Sequence, residues 1–100
     1  MAFIMVTATY PPWKLPELIE VYTKGNAPDY PPFLHTVHHF VVQDGDYKNY
    51  GIYECDDDKI KEGIEAITKR FYRYSLIEGY KYKIEPLLDS KEAMKLLGFI

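Results

Sequence analysis

One hundred residues suit a single domain spanning 1–100, and a 47% hydrophobic share with 16% aromatics excludes a disordered chain. A formal net charge of −3 without a dense Lys/Arg cluster argues against nucleic acid as a partner. One cysteine excludes an intrachain disulfide framework and a multi-cysteine zinc site; no window has the apolar length of a membrane span, and the apolar start at 1–6 is too short for a signal peptide. The expectation is a soluble cytoplasmic protein that binds neither nucleic acid nor membrane. Ten tyrosines add apolar rings whose hydroxyls need partners, which suits pockets and interfaces as well as cores.

Residues 2–10 read as a first strand, apolar on both faces, and Pro11-Pro12 ends it because proline cannot donate to a ladder. Pro16 opens a short helix in which Leu15, Leu18, Ile19 and Tyr22 recur at helical spacing, with Gly25 as its stop. Residues 26–32 hold three prolines and read as an irregular loop.

Residues 33–42 and 47–55 are two strand-like runs joined at Gln43-Asp44-Gly45-Asp46. Both Asp44-Gly45 and Gly45-Asp46 suit a two-residue turn, since glycine supplies the positive φ that such turns need. The hairpin holds all three histidines, the cysteine and a strand-borne glutamate, Glu54.

The clearest helix follows at about 57–75, where Asp56-Asp57-Asp58 offers capping oxygen and negative charge to the positive end of its dipole. Ile60, Ile64, Ile67 and Phe71 make one apolar stripe, and Lys69, Arg70 and Arg73 suit the negative end. Gly79 breaks the run. Residues 80–85 alternate with period two, and Pro86 with the lysines marks an edge strand. Asp89 or Ser90 caps a last short helix that Gly98 stops.

The order strand, helix, strand, strand, helix, strand and tail helix is the ferredoxin-like βαββαβ pattern. It predicts an α+β fold with a four-stranded antiparallel sheet and two helices on one face. The order, the size, the aspartate-rich helix start after Tyr53-Glu54-Cys55 and the closing Gly79-Tyr80…Pro86-Leu87-Leu88 resemble the dimeric α/β-barrel superfamily. The resemblance covers nearly the whole chain and rests on pattern, with no catalytic motif of any member matched. It implies two sheets packed face to face into a barrel, in a group that includes small monooxygenases, haem-degrading enzymes and lactone isomerases. The residues lead independently to the same homodimer. Two helices cover one sheet face, leaving Phe3, Met5, Val37, Val41 and Ile52 to be buried against a second copy.

An even-numbered turn puts His35, Val37, His39 and Val41 on one face with Tyr50, Ile52 and Glu54, and Thr36, His38, Phe40 and Val42 on the other with Gly51, Tyr53 and Cys55. With Gly45-Asp46 as the loop, His39 reaches Glu54 on the diagonal, about 7–8 Å between backbones. With Asp44-Gly45, His35 opposes Glu54 directly. Either pair supplies a general base and proton shuttle, so His39, His35 and Glu54 are the candidate catalytic residues; the alternative is that they only satisfy each other.

Tyr10, Trp13 and Tyr22 form the candidate wall of an apolar ligand pocket with the 26–32 loop as lid, or simply pack together. His38, Tyr50 and Tyr53 are the further candidate ligand contacts. His35 and His39 stand about 13 Å apart along a strand at ~3.3 Å per residue, too far to share one metal ion. No cofactor is expected; haem, which needs only one histidine, is the exception held open. Two functions fit: a cofactor-free enzyme of monooxygenase or isomerase type acting on a small apolar or aromatic metabolite, and a non-catalytic dimer whose pocket only holds a ligand.

Overall fold

The central strand is β1 (Ala2–Tyr10), and a computed structural model describing residues 1–100 builds the rest around it. In chain order follow α1 (Leu15–Thr23), β2 (His35–Asp44), β3 (Asp46–Cys55), α2 (Ile60–Ser75), β4 (Lys81–Leu87) and α3 (Ser90–Leu96). Single 3-10 turns at Pro12–Lys14 and Asp57–Lys59 lead into α1 and α2. The sheet order is β2-β3-β1-β4 with every neighbouring pair antiparallel, which is the ferredoxin-like α+β arrangement. No helix is long and apolar enough to cross a membrane.

Alternation along β1 builds the core. Ile4, Val6, Ala8 and Tyr10 are all buried beneath the helices, whereas Phe3, Met5, Thr7 and Thr9 on the other face are half-buried. One core cluster gathers Ile4, Val6, Leu34, Tyr53, Cys55 and Ile67, with Ile60, Ile64 and Phe71 packed against it. A second gathers Tyr10, Val21, Tyr74, Ile77 and Tyr80 at the far end of the sheet. The α2 stripe thus does what its spacing predicts. Asp56 makes no side-chain cap at the start of that segment, but Asp89 does cap α3, accepting from the Lys91 amide at 2.8 Å. Pro86 lies within β4, opposite Ile4, which an edge strand tolerates because its outer N–H positions have no ladder partner.

The hairpin departs from the expected parity. Asp44 pairs with Asp46 and leaves Gly45 alone at the apex, at a φ of 72° that favours glycine. This odd-numbered turn sets His39 opposite Gly51 and Phe40 opposite Tyr50. Between Thr36 and His38 a β-bulge at Val37 shifts the register again, so Thr36 opposes Tyr53 and His35 opposes Glu54. On β2, which lies beyond the helices and is exposed, Thr36, His39 and Val41 point to the side of the sheet that the helices cover elsewhere. The open face carries His35, His38, Phe40 and Val42.

Three expectations change as a result. His39 and Glu54 lie on opposite faces of the sheet, so of the two alternatives it is His35 that stands across from Glu54. Val37 and Val41 leave the open apolar face, and Phe40 and Val42 take their place beside Phe3, Met5 and Ile52. His38 stacks on Phe40 at 5.3 Å between ring centroids instead of lying under the helices, and Tyr50 faces Phe40 instead of His39.

Candidate functional site

A cavity of about 290 Å³ opens between the helix-covered face of the sheet and the two long helices. Val6 and Ala8 of β1, with Asn49 and Gly51 of β3, form its floor; Leu18 and Tyr22 of α1 form one wall. Arg70, Phe71 and Tyr74 of α2 form the opposite wall, and Tyr30 reaches in from the 26–32 loop. Thr36 and His39 border it on β2.

Gly51 shapes the floor. A Cβ there would lie 2.9 Å from the Tyr53 ring, so only glycine lets Tyr53 fold back along its own strand. The Tyr53 hydroxyl then meets Tyr30, whose O–H donates to it at 2.9 Å while the rings pack edge to face at 5.1 Å. Arg70 lies over both the Tyr30 and Tyr74 rings, at 5.1 and 5.6 Å from their centroids. Its Nη1 donates to the Pro28 carbonyl at 3.0 Å and its Nη2 to the Tyr74 hydroxyl at 3.4 Å, tying the lid loop to α2.

Electrostatically the site is rich in donors. Burial pushes the phenols of Tyr30, Tyr53, Tyr74 and Tyr80 above the ordinary tyrosine value; for Tyr30 the neighbouring Tyr53 adds to the rise. All four are therefore neutral hydroxyls at physiological pH. On the floor, the Asn49 Oδ1 is buried with no hydrogen-bond partner. A buried acceptor left unpaired costs about 1–3 kcal/mol.

Among the residues singled out from sequence, His39, Tyr22 and Tyr53 line this cavity. Tyr10 lies in the adjoining core, stacked on Tyr80 at 5.7 Å. Trp13 is 75% exposed and stands outside the proposed wall. His35, Glu54, His38 and Tyr50 occupy the other sheet face, so the cavity holds one histidine without a carboxylate beside it. Burial raises the Cys55 thiol, with Asp56 and Asp57 adding to the rise, so the thiol is an inert core group. No group of three or more His, Cys, Asp or Glu side chains is gathered where a metal ion could sit.

Reading the sequence alone misses Tyr30, Asn49, Arg70, Tyr74 and Tyr80. One signal was available for Arg70. Gly63, Ile67 and Tyr74, all buried, recur with Arg70 at steps of four, three and four, which puts the guanidinium at the border of the buried face. Comparison with protein-family models, with curated proteins and with solved structures finds no match to this chain.

Proposed function

We propose that this chain is a small-molecule-binding protein of the dimeric α/β-barrel kind, holding a small, flat, largely apolar ligand between sheet and helices. One observation carries the reading: the 290 Å³ cavity combines aromatic walls with a guanidinium, that of Arg70, which has no carboxylate partner. Small-molecule sites have this composition, mostly apolar with a few polar groups that fix orientation, and run from ~300 to 1,000 Å³. A tightly filled core would leave no such space.

The open sheet face supports a homodimer. Phe3, Met5, Ile52, Phe40 and Val42 share it, and Phe40 is 55% exposed in the single chain. The tail adds exposed Leu96, Leu97, Phe99 and Ile100. In such a dimer His35 and Glu54, opposite each other on that face, satisfy one another between subunits and stay out of the chemistry. A cytoplasmic setting agrees with the single reduced, buried Cys55.

A catalytic version of the same reading has one observation in its favour: His39 is the single imidazole on the cavity, and histidine is the side chain that most readily moves protons near neutral pH. Small aromatic compounds are then substrates for cofactor-free proton transfer or oxygen chemistry, and His39 takes the role first given to the His–Glu pair. Calorimetric titration with a panel of small aromatics tests both versions. Binding that Leu18→Trp abolishes supports the cavity as the site, whereas no binding by any member rejects it. If His39→Gln removes turnover of a bound compound yet keeps its affinity, the protein is an enzyme; if no bound compound is turned over, it is a carrier or sensor.

A further inference from the structure

We propose that the ligand is a small aromatic or unsaturated carboxylic acid, bound as its anion at Arg70. This inference rests on the cavity being a binding site and goes on to name the ligand's chemistry.

Three features converge on an anion. Arg70 is the one permanent cation on the cavity, and the ion pairs of the chain all lie elsewhere, so its charge has no carboxylate partner. Guanidinium has five N–H donors in a planar fork, and here two bonds go to neutral oxygens, those of Pro28 and Tyr74. The hydroxyls beside it are also donors. Tyr53 accepts from Tyr30, and Tyr74 accepts from Arg70, which leaves the protons of Tyr53 and Tyr74 free for an acceptor. A run of donors around an unpaired cation, in a partly dry site, is matched by an acceptor-only group.

A carboxylate fits better than a phosphate. Its two coplanar oxygens match the guanidinium fork, and one negative charge balances the one cation. The body of the ligand follows from the walls. Leu18, Phe71 and Tyr22 offer apolar and aromatic surface, and a cavity of 290 Å³ suits a single ring.

Titration calorimetry at neutral pH with para-hydroxybenzoate and its neutral isostere para-hydroxybenzamide tests the assignment, with indole as an uncharged control. The wild-type protein is expected to bind the acid at least about tenfold more tightly than the amide, as charge-assisted hydrogen bonds require. Arg70→Gln should erase that preference by weakening the acid alone. Tyr53→Phe, which keeps the ring, should weaken the acid more than the amide, and it decides the matter if loss of the Arg70 bond to Pro28 prevents folding. Equal affinity for acid and amide, a preference that survives Arg70→Gln, or one that Tyr53→Phe leaves undiminished overturns the proposal. If indole or the amide binds and the acid does not, the carboxylate assignment falls and the cavity reading stands; if none of them binds, both fall.

Discussion

At the scale of single residues, the tyrosines carry most of the site's chemistry and impose a pH limit on the fold. Burial raises the phenols of Tyr10, Tyr30, Tyr53, Tyr74 and Tyr80. In the unfolded chain each ionises near its usual value of about 10. Below that pH the folded and unfolded chains hold the same phenolic protons, and stability is unaffected. Above it the unfolded chain releases protons that the folded chain keeps, so stability falls as pH rises. The urea midpoint is expected to be level from pH 8 to 9.5 and to drop steadily beyond about 10; a midpoint that stays level to pH 11 would show that these phenols ionise freely in the fold. Gly51 is the second residue-scale determinant. A methyl there collides with the Tyr53 ring at 2.9 Å, so Gly51→Ala should displace Tyr53 from Tyr30. The expected cost is on the order of 1–3 kcal/mol, as for other overpacked sites, read from urea unfolding. Loss of ligand affinity should accompany it.

At the scale of elements, α2 and the β2–β3 hairpin play different parts. α2 is the clamp. Ile67 is fully buried in the cluster beneath it, so Ile67→Ala should destabilise the fold by roughly 2–5 kcal/mol, visible as a lower urea midpoint. The same helix carries Arg70 and Tyr74 one and two turns further on, so its packing also sets the donor end of the cavity. The hairpin is the selector. Its one-residue apex and its bulge at Val37 together decide which side chains of β2 face the helices, and they deliver Thr36 and His39 to the cavity while sending His35, His38 and Phe40 outward.

At the scale of the whole molecule, the shape is extended for its length. The radius of gyration is 15.1 Å, against about 13 Å for a compact chain of this size, and the extents are 48 × 30 × 18 Å. β2 is exposed along its whole length, and large apolar side chains of the tail stand in solvent. A second copy placed on the open sheet face would cover Phe40 and Val42. Light scattering at micromolar concentration should therefore give twice the chain mass of 11.7 kDa. Phe40→Asp should halve that value while the far-UV circular dichroism stays unchanged, because Phe40 lies outside the core. A wild-type mass of one chain would rule out the dimer.

The α+β order, the central position of β1 and the buried stripe of α2 are legible in the sequence by itself. Each depends on local periodicity and on where Pro and Gly interrupt it, and those signals survive without knowledge of neighbours. The site is legible only in fragments. Tyr22, Tyr53 and His39 carry the residue types a pocket needs, yet the sequence leaves either His39 or His35 to meet Glu54, and the fold puts His35 there and His39 on the opposite face. The reason is parity: an odd apex at Gly45 and one extra residue at Val37 each invert every side chain beyond them, and both Asp44-Gly45 and Gly45-Asp46 fit a different turn equally well. The rest of the site joins residues far apart in the chain. Tyr30 meets Tyr53, and Pro28 meets Arg70, through side-chain hydrogen bonds that no local pattern encodes. Tertiary packing alone brings those groups together, because it is the close approach of α2, β3 and the 26–32 loop that makes the cavity and leaves its cation unpaired.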